Sequence, residues 1–139
     1  MSLFQSAIMH RYQVPTHSEL QAAIDATGFD LKLDSFYEPL ESSGFHPCIL
    51  NGVESGFEVF WQPIGEILGA WPELNEPVGA RDTSLTFIWH GDMAECACVL
   101  VVSAALARAF DAVVFYQDDA LLYTPDQLIQ EAKAVINDL

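Results

Sequence analysis

Residues 85–123, LTFIWHGDMAECACVLVVSAALARAFDAVVFYQDDALLY, predict a strand, an apolar helix and a second strand, and we expect the fold to be organised around that helix. Between residues 93 and 110 the polar side chains, apart from two cysteines, are Glu95, Ser103 and Arg108. A surface helix would carry polar residues along one whole face. We therefore predict a buried central helix near residues 93–110.

The ends of this helix carry capping signals. Asp92 precedes it and can accept hydrogen bonds from the free amides of the first turn, while Glu95 can bond back to the cap amide. Arg108 lies in the last turn, where the helix dipole favours a cation. Asp111 follows at the place where a residue with left-handed backbone often ends a helix.

Capping boxes predict two further helices. Thr16 and Glu19 begin the first, and Gly28 ends it. Thr124 and Gln127 begin the second, a C-terminal amphipathic helix near residues 125–137 with one apolar stripe. A shorter helix is predicted between two prolines, at residues 64–71.

Apolar patterning predicts the strands, either as alternation with polar residues or as a short apolar run. The predicted strands are residues 29–34, 48–50, 57–62, 85–90, 112–116 and 121–123. The first half of the chain lacks regular βαβ spacing. We therefore predict an α+β fold in a single domain, residues 1–139, with a mainly antiparallel sheet packed on helices.

Turn and loop signals separate these elements. Asn51-Gly52 predicts a turn that Ser55-Gly56 extends. Composition predicts connections at residues 39–47 and 72–81. Residues 1–14 fit either a short strand or an ordered arm.

The charge balance is strongly acidic, with 20 acidic residues against 5 basic ones and a formal net charge of -15. Binding to nucleic acid needs a Lys and Arg surface, and anionic membranes repel such a chain, so both are excluded as partners. Three cysteines are expected to be reduced thiols. With no apolar run long enough for a secretory signal at the N-terminus or for a bilayer span, we predict a cytoplasmic protein.

The densest cluster of reactive side chains is His90, Asp92, Glu95 and Cys96, with Cys98 beside them. Imidazole, carboxylate and thiolate can bind zinc, and a thiol near a helix start can act as a nucleophile. The spacing matches no zinc motif, however, and no oxyanion loop accompanies the thiols. Helix capping accounts for both carboxylates, so we predict no catalytic residue, no metal site and no cofactor. A small enzyme or metal-binding protein built on this cluster is the first alternative.

Aromatic residues are interspersed with glutamates in the middle of the chain, among them Phe36, Tyr37, Phe45 and Phe60. Aromatic anchors in an acidic field suit a basic protein partner, because charge steers the encounter and aromatic rings supply binding energy. The residues predicted to bind the partner are Glu54, Glu58, Trp61, Glu66, Trp71, Glu73 and Glu76. A homo-oligomeric structural module, with aromatics filling a dimer interface, is the second alternative.

The C-terminal half resembles a known class of protein. Its segments FIWHGDMAECAC, SAALA, AVVFYQDD and YTPDQL, within residues 57–139, resemble small acidic bacterial immunity proteins of polymorphic or type VI secreted toxins. The resemblance implies a non-enzymatic cytosolic protein that protects the producing cell by covering the active site of a cognate toxin. It carries over no functional residue, because these proteins share few of them.

Overall fold

In the computed structural model, which describes residues 2–34, 38 and 43–139, the described chain forms seven strands and five α-helices. The strands are β1 (Leu3–Met9), β2 (Leu31–Leu33), β3 (Gly44–Leu50), β4 (Val53–Trp61), β5 (Thr83–Trp89), β6 (Val113–Tyr116) and β7 (Leu121–Tyr123). The helices are α1 (His17–Ala26), α2 (Ile64–Ala70), α3 (Asn75–Val78), α4 (Met93–Ala109) and α5 (Pro125–Asn137). Short 3-10 turns occupy Arg11–Gln13 and Pro72–Leu74.

All seven strands belong to one sheet, in the order β2-β3-β4-β5-β1-β6-β7, and every neighbouring pair is antiparallel. The predicted α+β class is therefore confirmed. Strand β1 lies inside the sheet, where Leu3 is opposite Trp89 of β5 and Gln5 is opposite Tyr116 of β6. The segment that sequence patterning left undecided is thus an interior strand of the sheet.

The buried helix around which the chain was expected to be organised is α4. Every residue from Ala97 to Leu106 is buried, and α4 packs between α1 and α5 on one face of the sheet, which we call the inner face. Asp92 accepts hydrogen bonds from the Ala94 and Glu95 amides, so the predicted Asp92 cap is confirmed. The return bond predicted from Glu95 to the cap amide does not form in the described chain, so this helix has no capping box. Asp111, at φ 58°, also has the predicted left-handed backbone.

Two polar side chains inside this core are paired with each other. Gln5 of β1 is 1% exposed, and its side-chain amide donates to the Ser103 hydroxyl of α4 at 2.8 Å. A polar group buried without a partner would oppose folding, so this bond accounts for the one hydroxyl in the interior of an apolar helix.

The opposite, outer face of the sheet is covered over β1 and β6 by residues 64–78. Ile67, Leu74 and Val78 from this segment bury Ile8 and Phe115 in a second, smaller core. Beside this core a chain of hydrogen bonds joins polar side chains across the sheet. It consists of Gln117 to Ser6 at 2.7 Å, Ser6 to Thr86 at 2.8 Å, Thr86 to Gln62 at 2.8 Å and Gln117 to Gln62 at 2.9 Å.

Three local predictions are wrong. The segment 39–47 is not wholly a connection, since β3 already begins at Gly44; residues 39–42 lie outside the described part of the chain. Ser55 and Gly56 belong to β4 rather than to a loop, because Asn51 and Gly52, at φ 51° and 80°, make a two-residue hairpin turn by themselves. The segment 72–81 contains a 3-10 turn and α3, whose apolar residues close the smaller core.

None of the helices in the described ranges is long and apolar enough to cross a membrane.

Candidate functional site

The outer face of β3 and β4 is open to solvent and apolar. In β3 the side chains of Cys48 and Leu50 enter the main core, so those of Phe45 and Ile49 point to the opposite side. Phe45 is 55% exposed and Ile49 is 44% exposed. Large apolar side chains at neighbouring places on an otherwise acidic surface are typical of a binding site.

A shallow depression of about 450 Å³ lies on this side of the sheet. Phe45, Ile49 and Pro47 line it, together with the side chains of Lys32 and Glu54 at its polar margin. We call these five residues and Glu58 the open sheet face. It combines an apolar centre with a charged margin, as the buried part of a protein interface does.

Gly56 explains how the Phe45 ring is held on the open sheet face. Phe45 lies opposite Glu58 and Pro47 lies opposite Gly56 in the antiparallel pair. A Cβ atom at position 56 would lie 2.3 Å from Cζ of Phe45 and 2.8 Å from the carbonyl oxygen of His46. The ring therefore packs on bare backbone, which orders an aromatic side chain that is still more than half exposed.

Two of the predicted partner-binding glutamates belong to the open sheet face. Glu54 is exposed, and Glu58 has a side chain that is 42% exposed. The Glu58 carboxylate lies 3.3 Å from Nε2 of His90, whose Nδ1 lies 3.0 Å from the hydroxyl of Ser2. Both carboxylates are accessible to a cationic partner, and Glu58 already accepts one surface hydrogen bond.

The other predicted residues are distributed over two further places. Glu66, Glu73 and Glu76 are exposed on residues 64–78, the segment that covers the other half of the outer face. Trp71 is half-buried, with its ring 5.1 Å from that of Phe115 in an edge contact. Trp61 packs against the main core on the inner face, and the Arg11 guanidinium lies 5.6 Å from its ring centroid.

The structure therefore brings together Glu54 and Glu58 and keeps the glutamates of residues 64–78 on the same side of the sheet. It does not bring the two tryptophans to that surface as free anchors. Other exposed carboxylates lie on the helical side of the molecule, for example Asp126 and Glu131 of α5. Negative charge thus surrounds the protein. Exposed apolar side chains also occur elsewhere, at Tyr12, Val53, Met93, Leu121, Leu122 and Leu139. The open sheet face differs in that its exposed apolar residues line a depression together with one of the predicted glutamates, Glu54.

The alternative cluster around His90 does not form a metal-binding group. Among the described residues, no three His, Cys, Asp or Glu side chains are placed to hold a metal ion. Asp92 is engaged by the first turn of α4. The pKa of Cys96 is raised to about 11, chiefly by burial, so this thiol is protonated at neutral pH and is a poor nucleophile.

His90 instead forms a surface chain with Ser2 and Glu58. Serine, imidazole and carboxylate are the side chains of a nucleophilic triad. Here the His90 side chain is 52% exposed, so its hydrogen bonds lie in water rather than in an enclosed site where preorganised dipoles act strongly. The arrangement is that of a hydrogen-bonded chain of three surface residues, and it places an imidazole beside the open sheet face.

Sequence patterning placed Phe45 among the interspersed aromatics but did not select it or Ile49 as partner-binding residues. The sequence signal for these two residues is an alternating pattern. In residues 45–50, FHPCIL, both sets of alternate residues contain apolar side chains, which indicates a strand with two apolar faces. The same alternation separates Trp61 from Glu54 and Glu58 along β4. Phe36 and Tyr37, also in the predicted aromatic set, lie outside the described residues.

Comparison of the chain with protein-family models, with curated proteins and with solved structures gives no match. Function is therefore inferred from the residues themselves.

Proposed function

We propose that this protein is a non-enzymatic binding protein of the cytoplasm, an immunity protein that neutralises a basic secreted toxin by covering its active site. The observation that carries the proposal is the open sheet face, where Phe45 and Ile49 are exposed beside Glu54 and Glu58. The resemblance of residues 57–139 to immunity proteins supports the same class of function.

The two kinds of side chain on this face have different physical roles. Phe45 and Ile49 lose exposed apolar surface when a partner covers them, and a central aromatic residue is the usual source of affinity in an interface. Glu54 and Glu58 act at longer range, by attracting Lys and Arg side chains of the partner and so raising the association rate. The net charge of -15 adds to this steering and makes it sensitive to salt.

The net charge also favours a basic toxin, rather than a second copy of this chain, as the partner that covers the open sheet face. Two copies, each with a net charge of -15, repel one another at low ionic strength. A basic partner is attracted under the same conditions. Size-exclusion chromatography at two salt concentrations tests the homo-oligomeric alternative: the proposal predicts a monomer at low salt.

The direct test uses the basic C-terminal domain of a large secreted protein, which is sought in the open reading frame next to that of this chain. Association of that purified domain is measured by stopped flow for the unchanged chain and for Glu54→Lys/Glu58→Lys. The expected result is an association rate about tenfold lower for the double variant, with weaker salt dependence. Phe45→Ala should instead raise the dissociation rate by about tenfold or more.

The matched control is Glu131→Lys, which changes the charge of an exposed residue on the helical side. It should alter the association rate much less than the changes on the open sheet face. Equal effects of both sets, or binding that no variant and no salt concentration changes, would contradict this placement of the interface. A neighbouring basic domain that is toxic in cells and is not neutralised by this chain would contradict the function itself.

A further inference from the structure

Two of the three cysteines lie against each other in the main core. Cys48, on the inner face of β3, and Cys98, in α4, have their sulfur atoms 3.3 Å apart. Both are buried, at 3% and 0% exposure. Sequence patterning does not predict this pair, because the two residues are 50 positions apart and only Cys96 lies near Cys98 in the chain.

The geometry needs little change to become a covalent bond. A disulfide bond is about 2.05 Å long, so sulfur atoms 3.3 Å apart need to approach by roughly 1.2 Å. The two backbones are held in place, since β3 lies between β2 and β4 and α4 is packed on both sides by helices. Cys96 points elsewhere, into a separate cavity beside Trp89 and Tyr123.

We propose that Cys48 and Cys98 are a disulfide-forming pair, which small peroxides oxidise to a bond between β3 and α4. This inference does not depend on the proposed binding function. It assigns a modification site to the core beneath the open sheet face.

A cavity lies near the cysteine pair, on the side of Ser55. This cavity of about 430 Å³ is lined by the end of the β3–β4 hairpin, by Ala94 and by the C-terminal part of α5. Ser55, which lines this cavity, lies close enough to Cys98 to lower the pKa of its thiol. Cys98 itself is 0% exposed, so hydrogen peroxide, a molecule little larger than water, reaches its sulfur through local opening of the chain beside this cavity.

The reaction is balanced with hydrogen peroxide as the only oxidant. The Cys98 thiolate attacks one peroxide oxygen, so that a sulfur–oxygen bond forms, the oxygen–oxygen bond breaks and the departing hydroxide takes up the thiol proton as water. The Cys48 sulfur then attacks the Cys98 sulfur, the sulfur–oxygen bond breaks, and a second water leaves with the Cys48 proton. Two thiols are oxidised and one peroxide is reduced to two waters.

The surroundings assign the two roles. Cys48 donates its S–H to Cys98, which lowers the pKa of Cys98 and raises the pKa of Cys48. The Ser55 hydroxyl and the Gly56 amide further lower the pKa of Cys98, although burial opposes them. Cys98 is therefore the attacking sulfur and Cys48 the resolving one.

The experiment treats the purified, reduced chain with hydrogen peroxide, then unfolds it, alkylates it with N-ethylmaleimide and measures its intact mass. The unchanged chain should lose two of its three reactive thiols. Cys96→Ser should lose about 2 Da and bind no maleimide after oxidation, whereas the reduced variant binds two. The oxidised Cys96→Ser protein should also unfold at a temperature higher by roughly 10 °C, because the bond closes a long loop.

The matched control is Cys48→Ser/Cys96→Ser, which retains Cys98 alone and cannot form the bond. Circular dichroism establishes that each variant is folded before oxidation. The proposal is overturned if peroxide that fully oxidises free glutathione leaves both thiols of Cys96→Ser reactive, or if Cys98 gains oxygen atoms instead of losing hydrogen. A bond that joins Cys96 to another cysteine in the unchanged chain would also overturn it.

Discussion

Replacing Ser103 by alanine tests whether the buried hydrogen bond between β1 and α4 supports the fold. The hydroxyl accepts a bond of 2.8 Å from the Gln5 side-chain amide, and neither residue is more than 1% exposed. Removing it leaves a buried donor without its acceptor, at a cost of about 1–3 kcal/mol. Alanine is the better helix former by about 0.5 kcal/mol. The expected loss in the free energy of unfolding is therefore about 0.5–2.5 kcal/mol.

The assay is urea unfolding followed by tryptophan fluorescence. With a slope of about 2 kcal/mol per molar urea, the transition midpoint of Ser103→Ala should fall by roughly 0.3–1.2 M. The control is Gln5→Met/Ser103→Ala, which replaces both polar groups by apolar ones of similar shape. It should recover part of the loss, because no buried donor then remains unpaired. A Ser103→Ala protein as stable as the unchanged chain would refute the claim that this hydroxyl satisfies Gln5.

Three other changes probe the fold around the open sheet face. Gly56→Ala should lower the free energy of unfolding by about 1–3 kcal/mol in the same assay, since the added Cβ meets the Phe45 ring and the His46 carbonyl; an increase would show that the ring moves away freely. Asp92→Ala should cost about 1 kcal/mol, and Asp92→Asn less, because asparagine still accepts bonds from the first turn of α4. Burial lowers the pKa of His46 from 6.5 in the folded state, partly opposed by Asp34. As the pH falls below 6.5, the unfolded chain binds a proton that the folded chain resists, so stability declines. His46→Phe should reduce this decline between pH 7 and pH 5, and an unchanged slope would contradict the assignment.

Local sequence patterns predicted the helix ends and the hairpin turn, because interactions between residues close in the sequence determine these features. The Asp92 cap, the Thr16 and Thr124 capping boxes and the Asn51-Gly52 turn each depend on residues within four positions of one another. The apolar composition of α4 likewise predicted its burial without knowledge of its neighbours.

The remaining features depend on residues that are distant in the sequence. The local pattern of β1 does not decide between a strand and an ordered arm. The burial of its residues depends on β5 and β6, which flank β1 in the sheet. Its Gln5 and Ser6 are buried, against the usual preference, since partners on α4 and β5 satisfy them. The Cys48–Cys98 contact and the exposure of Phe45 are also properties of packed elements.

Sequence patterning selected the acidic residues of the open sheet face but not its apolar residues. Glu54 and Glu58 were selected, and the strand that carries them was placed correctly near its C-terminal end. Trp61 and Trp71 were selected because tryptophan is common at interfaces, yet both pack on apolar surfaces of their own chain. Phe45 was not selected because the predicted strand covered only residues 48–50. Phe45 therefore fell within the predicted connection at residues 39–47.

The place of β1 in the sheet has a consequence for how the protein is made. Strand β1 leaves the ribosome before β5 and β6, which flank it in the sheet. Residue 5 therefore cannot pair with residues 87 and 116 until both have been synthesised. The middle of the sheet therefore closes only after most of the polypeptide has emerged, which makes folding slow and dependent on distant contacts. A nascent chain arrested at residue 110 should remain sensitive to protease, and one arrested after β7 has left the exit tunnel should resist it.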